Sequence, residues 1–298
     1  MSKPNAVKQT ACASYAHAAA PATLASAKAG GANEPHDLPE TLHESSVGEA
    51  DALRLEKRTN HNTGKYKITL TNYGNGLGEI GWSFVHSCQP NKAARGTSDS
   101  KEANQDRAAR RAKSRMRKVV LSINADHLLT LTYRQNMMDF DQAYIDLTKF
   151  IRLVRNDLPD WMYIAVAEKQ KRGAWHWHLA VHGRQDVTRL RQAWLKTVKD
   201  GNIDVAPPKG KSQHRQLALV SYLSKYLAKT FADGNHQLNA RRYHVACGVN
   251  VPSKSIRLPD NETSAIQFAL DTLQSKVGSV GHVWIAGDLA AGWACSWK

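Results

Sequence analysis

Two histidines, a carboxylate and two tyrosines stand at spacings that suit phosphoryl chemistry. His176-Trp177-His178 lies in the run Trp175 to His182, where bulky apolar and polar residues alternate as on a strand. On such a strand Trp175, Trp177, Leu179 and Val181 point one way, and His176, His178, Ala180 and His182 point the other. Two imidazoles at i and i+2 can chelate one ion, each through a neutral ring nitrogen. If Lys171-Arg172-Gly173 is a three-residue hairpin loop, Glu168 pairs across from His176 and shares its face. Glu168 would then be the third ligand. Two histidines and one carboxylate with open positions suit catalytic Mg²⁺ or Mn²⁺, and the missing thiolates disfavour structural zinc. The competing reading of a His-x-His pair is a plain polar face, which Glu168 on the same face weakens. His182 extends the row but lies at the strand's end.

The second constellation is Tyr222-Leu-Ser-Lys225-Tyr226-Leu-Ala-Lys229. Projected on a helix at about 100° per residue, Leu219, Val220, Leu223, Leu227 and Phe231 form an apolar stripe. Tyr222, Lys225, Tyr226 and Lys229 gather on another face. Two phenols one turn apart can reach one reaction centre, and each has a lysine three residues on. A free phenol, with a pKa of about 10, is a poor nucleophile at neutral pH. Nearby lysines and a metal favour phenolate and stabilise charge growing on phosphate oxygens. Unlike water, a tyrosine keeps the cut end covalently attached. The competing reading has the tyrosines padding the core edge and the lysines solvated; Tyr226 borders the apolar stripe, so it applies more to Tyr226 than to Tyr222.

Positioning these groups takes a small set of elements. His127 to Tyr133 alternates as a strand, with Leu129, Leu131 and Tyr133 on one face and Thr130 and Thr132 on the other. Phe140 to Val154 is an amphipathic helix. Trp161 to Glu168 and Ala174 to His182 make a hairpin, Val187 to Val198 a helix, and Leu217 to Phe231 the tyrosine helix after a Pro207-Pro208-Lys209-Gly210 loop. The order strand, helix, hairpin, helix, helix predicts an α+β fold on an antiparallel sheet with flanking helices. Upstream, Lys65 to Val85 reads as two strands around a Gly74-Asn75-Gly76 turn. Downstream, Ser264 to Lys276 reads as a helix and His282 to Ala286 as a strand. The chain divides into a segment 1–60, expected to be mostly disordered but for a short helix near Glu49–Arg58, a strand pair with a basic helical segment (61–117), a central domain (118–250) and a C-terminal extension (251–298).

Bulk composition narrows the partners. The 298 residues carry 41 Lys and Arg against 26 Asp and Glu, a formal net charge of +15. Residues 1–60 hold six basic and seven acidic side chains, so the whole excess lies downstream. A polyanion is the expected partner, nucleic acid before a membrane surface. Residues 92–118 hold ten basic and three acidic side chains; their Arg110, Arg111, Lys113, Arg115, Arg117 and Lys118 are candidate phosphate contacts, the alternative being a solvated face or tether. No apolar run reaches the roughly 20 residues of a membrane-spanning helix, and the alanine-rich N-terminus is too interrupted for a secretory leader. Cys12, Cys88, Cys247 and Cys295 are scattered, which suits a reducing cytoplasm.

Taken together, three motifs resemble the HUH endonucleases that initiate rolling-circle replication. Leu129-Thr130-Leu131-Thr132-Tyr133 looks like the first motif, His176-Trp177-His178 the second, and Tyr222 to Lys229 the third. The paired tyrosines are similar to the two-tyrosine superfamily represented by the gene A protein of small isometric phages. The flanking strands and Arg241-Arg242-Tyr243 look more like the gene II-type replication proteins of filamentous phages and related prophages. The resemblance covers about residues 118–250, extends more weakly through 65–117 and leaves out 1–60. It implies an HUH (RRM-like) fold and a site- and strand-specific nickase acting on single-stranded or extruded origin DNA in the bacterial host cytoplasm. His176, His178 and Glu168 would hold the metal, one tyrosine would form a 5′-phosphotyrosine, and Lys225 and Lys229 would assist. The freed 3′-hydroxyl would prime a host DNA polymerase. No Walker A pattern occurs in the sequence, so a host helicase would unwind the duplex. Two other readings stay open: a related single-strand transposase or plasmid relaxase, and a non-catalytic DNA-binding regulator.

Overall fold

The computed structural model describes residues 64–87, 101–207, 212–232, 242–258 and 262–297. The readings of residues 1–60, most of the Pro207–Gly210 loop, Cys12, Cys88 and Arg241 lie outside that set. Ten strands and five helices alternate along the described chain: β1 (Gly64–Gly74), β2 (Leu77–His86), α1 (Lys101–Ser122), β3 (His127–Tyr133), α2 (Phe140–Asp157), β4 (Tyr163–Lys169), β5 (Trp175–Val181), α3 (Val187–Val198), β6 (Gly201–Ala206), α4 (Ser212–Ala232), β7 (Tyr243–Val245), β8 (Ser253–Leu258), α5 (Glu262–Val277), β9 (His282–Ile285) and β10 (Ala291–Cys295). The α+β expectation holds, but the strands form two antiparallel five-stranded sheets where the sequence foretold one. The orders are β6-β3-β5-β4-β7 and β8-β1-β2-β10-β9. Among the described residues no helix is long and apolar enough to cross a membrane.

The first of these, the central sheet, is covered on both faces. Leu129, Leu131, Trp177, Leu179 and Val181 pack under α2 and α3 with Phe150, Val154, Leu190 and Trp194. Each helix starts on an aspartate that accepts from backbone N–H groups, Asp139 for α2 and Asp186 for α3. Two indoles at this face spend their N–H on main-chain carbonyls, Trp177 on Ala143 (3.1 Å) and Trp194 on Thr132 (3.0 Å). The opposite face packs Ile164, Val166 and Ala180 against Ala112, Met116, Val119 and Val120 of α1 and Leu219, Leu223 and Leu227 of α4. The basic helix is therefore amphipathic: its apolar residues recur at helical spacing, and the tyrosine helix lies beside it on the histidine face.

Four elements escaped the sequence reading: β6, β7, β8 and β10. β6 pairs with β3, Thr130 opposite Asp204, and supplies Ile203 to the core. β7 is three residues long and pairs with β4. The other sheet joins residues far apart in the chain: β1 pairs with β2 and β8, and β2 with β10. Its core is Tyr66, Ile68, Ile80 and Trp82 against Ala265, Ala269 and Leu273 of α5.

Candidate active site

The site begins with register. Between β4 and β5, Gly173 takes φ +86° and donates its N–H to Gln170 O (2.9 Å), while Gln170 N–H reaches Ala174 O (2.8 Å). This left-handed turn, costly for any residue with a Cβ, fixes the loop Lys171-Arg172-Gly173. Glu168 then stands opposite His176, and Val166 and Thr130 flank His178. The three intended ligands share one face, as the alternation predicts. That face is not open. His176 is 8% exposed and His178 4%, because α1 and α4 roof it.

Within that roofed space the contacts are specific. His178 Nε2 lies 2.7 Å from Glu168 Oε2, and its Nδ1 lies 3.2 Å from Thr130 Oγ1. Gln170 Nε2 lies 3.1 Å from His176 Nδ1, and Arg172 Nε donates to Gln170 Oε1 (3.0 Å). His176 Nε2 is buried without a hydrogen-bond partner. Lys229 Nζ stands 3.8 Å from Glu168 Oε1 and 5.3 Å from the centre of the Tyr226 ring.

The tyrosine helix completes the group. Tyr226 stacks on His178, with ring centres 4.4 Å apart and planes 22° apart. Its hydroxyl donates to that of Tyr222 at 2.7 Å. Tyr222 meets His178 edge-on at 5.9 Å and is 37% exposed. Tyr226 is thus the inner phenol and Tyr222 the outer one, open to solvent. Lys229 is brought to the site; Lys225 is exposed and has no ion pair among the described residues.

Electrostatics separates the roles further. Burial pushes the Glu168 carboxyl up, but its hydrogen bond to His178 and the charges of His178, Lys229 and His176 outweigh that and hold it below the usual carboxylate range. Burial, helped by the neighbouring His178 and Arg172 and opposed by Glu168, lowers His176, so its ring is neutral at pH 7. Burial, the hydrogen bond to Tyr222 and the charge of Glu168 push Tyr226 well above an ordinary phenol. Tyr226 therefore keeps its proton and acts as a donor.

The donor set can be tested against a divalent cation. Among the described residues no group of three or more His, Cys, Asp or Glu side chains is arranged as a cation cage; Glu168 turns to His178 and Lys229 instead. The chemistry of the residues nonetheless fits. A neutral imidazole with a buried, unpartnered Nε2 can serve as a ligand, and an ion can replace the proton that His178 and Glu168 share. Ligation through His176 Nε2 needs the ring proton on Nδ1, which Gln170 accepts if its amide turns about.

Beside Glu168 opens a cleft of about 830 Å³ lined by Lys169, Gln170, Lys171, Arg172 and Lys229. This hairpin and Lys229 put four cations along one cleft, and the sequence reading passed over the three in the hairpin. Thr130 and Gln170 also escaped it as site residues. The signals were present: Thr130 alternates onto the histidine face, and Gln170 opens the hairpin turn. The basic helix divides. Arg110, Arg111, Lys113 and Arg115 are exposed, whereas Arg117 (2.8 Å) and Lys118 (3.6 Å) pair with the buried Glu79 of β2. His182 sits apart, its Nδ1 on Asn124 O at 2.7 Å.

Fold and site define an α+β protein with a roofed His-x-His strand facing a paired-tyrosine helix, the arrangement foreseen for a replication-associated protein. Residues 126–231 match the model of a family of replication-associated proteins, that of the ORF2 and gene II proteins. That stretch holds all three motifs and Glu168, and there the resemblance to replication-associated proteins of the gene II type is borne out. Comparison with curated proteins and with solved structures finds no match.

Proposed function

We propose that this protein initiates rolling-circle replication of a phage or prophage by nicking and rejoining one DNA strand through tyrosine. The observation that carries the reading is the hydrogen-bonded pair Tyr222–Tyr226 stacked against His178, inside the family-matched stretch. Tyr222 is the first nucleophile. Its oxygen accepts from Tyr226, so the donor that stabilises a phenolate there is already in place, and its ring is the exposed one. Tyr222 Oη attacks the scissile phosphorus and loses its proton to solvent. The bond from phosphorus to the 3′-oxygen breaks, and that oxygen takes a proton from solvent and leaves as a 3′-hydroxyl. Phosphorus stays bonded to the phenol oxygen and the 5′ strand. Attack by a 3′-hydroxyl on the same phosphorus reverses the step and reseals the strand. Tyr226 serves as the second nucleophile once the first is occupied.

His176, His178 and Glu168 are the residues that would hold Mg²⁺ or Mn²⁺, which polarises a phosphoryl oxygen when bound. Thr130 and Gln170 orient the two imidazoles. Lys229, with Lys169, Lys171 and Arg172 along the cleft, neutralises the phosphates on either side of the break. A host helicase unwinds the duplex, and a host polymerase extends the freed 3′ end.

The test is adduct formation between the full chain and single-stranded origin DNA from its own replicon, with Mg²⁺ or Mn²⁺. A covalent species resistant to denaturant is expected, and His176→Ala abolishes it. A protein inert on every strand of that origin would favour a non-catalytic regulator.

A further inference from the structure

The sheet outside residues 126–231 carries a surface that the tyrosine chemistry does not use. Its strand register sorts the side chains. Tyr66, Ile68, Ile80 and Trp82 face α5; the other face is built in rows across the strands. One row runs Ser255, Thr69, Gly81, Trp293 and Trp284. The next runs Arg257, Lys67, Ser83 and Ala291, with Lys65 beyond it.

Three properties of this face point the same way. Its exposed charges are cations: Lys65, Lys67 and Arg257 are all exposed. The acid on these rows' flank, Glu79, is 1% exposed and already engaged by Arg117, Lys118 and the indole N–H of Trp293 (3.1 Å). At one end Trp284 is 55% exposed, an unusual place for an indole, and Trp293 beside it carries Arg117 stacked at 4.7 Å. Between cations and indoles the floor is low and hydroxylated. Thr69 and Ser255 share a hydrogen bond (2.8 Å), and a Cβ at Gly81 would meet only a carbonyl oxygen at 3.7 Å. A cleft of about 290 Å³ runs there between the sheet (Lys67, Thr69, Ser83, Trp293) and α1 (Ser114, Lys118).

We propose that this face is a second binding site, for single-stranded DNA, distinct from the tyrosine centre. A row of cations beside an exposed π-face is what an unpaired strand recognises, because its phosphates are charged and its bases are free to stack. A duplex hides its base faces and could use only the cations. The site would hold DNA flanking the cleaved position or the strand displaced during synthesis.

The test uses the full chain, chelator in place of metal, and a labelled oligothymidylate of about 15 nucleotides, so that no covalent chemistry intervenes. Trp284→Ala is expected to weaken binding between about fivefold and about a hundredfold, the value of one base stacked on one aromatic ring. Lys67→Ala with Arg257→Ala is expected to flatten the slope of log affinity on log salt by about 1.4. Oligonucleotide carrying iodouracil is expected to photocrosslink to Trp284 or Trp293. Because Trp284 is exposed, its removal leaves no cavity, and an unchanged melting profile confirms that the sheet is intact. Unchanged affinity and slope in these variants, with crosslinks confined to residues 163–232, would overturn the proposal. So would a Trp284→Ala chain that binds DNA as before but sediments as a smaller species, which would make the face a contact between copies.

Discussion

The two sheets share a plan of five antiparallel strands and differ in what covers them. The central sheet is roofed on both sides, by α2 and α3 over its tryptophans and by α1 and α4 over its histidines. The other has α5 on one face and, among the described residues, only α1 against part of the second. On the roofed sheet a few polar groups are trapped at fixed distances, and burial shifts their protonation: His176 down, Tyr226 up. On the open face the cations stay hydrated and the indole of Trp284 meets water. Burial makes a place where bonds can be broken; exposure makes a place where a long polyanion can be held. The buried residue between them, Glu79, ties α1 to the open sheet through Arg117 and Lys118.

Substitutions can break this contrast, the largest first. Trp177→Ala, at a side chain 1% exposed, should cost about 3–5 kcal/mol in urea unfolding, whereas Trp284→Ala on the open sheet should stay within about 0.5 kcal/mol. Comparable losses at both would deny the difference in covering. Next, Arg117→Ala leaves Glu79 to Lys118 and the Trp293 indole N–H and should destabilise by up to about 3 kcal/mol, most of it recovered when Glu79→Gln is added. If stability is unmoved and only DNA affinity falls, Arg117 is a phosphate contact, as its place in the basic run suggested. Smaller in energy is Thr130→Val, which removes the hydroxyl beside His178 Nδ1 without opening a cavity. It should weaken metal-dependent adduct formation about 10- to 100-fold at unchanged stability, and an unchanged metal requirement would make Thr130 a bystander.

How much of this could be read beforehand depended on distance along the chain. The His-x-His strand, the Gly173 turn and the Glu168–His176 pairing all lie within residues 168–181, and local alternation determined them. The stripe on α4 likewise separated Leu219, Leu223 and Leu227 from the tyrosines. By contrast, β1 and β2 find β8 and β10 across about 180 to 220 residues, a pairing that no local period encodes. The roof over the histidines was hidden for another reason: Met116, Val119 and Val120 stand among the arginines and lysines of α1, whose charge masked their spacing. Arg117 and Lys118 looked free because their acid, Glu79, belongs to another sheet. Tyr226, suspected of packing from its position at the stripe's edge, does pack, on His178, while bonded to Tyr222.

The central claim is that Tyr222 and Tyr226 form one reaction centre with the histidine strand, and mass mapping of the DNA-linked peptide tests it most directly. After incubation with Mg²⁺ or Mn²⁺ and its own origin strand, the wild-type chain should carry the phosphodiester on Tyr222. Tyr222→Phe should shift it to Tyr226, and the double Phe variant should carry none. An adduct that persists in the double variant, or that maps outside α4, would contradict the account.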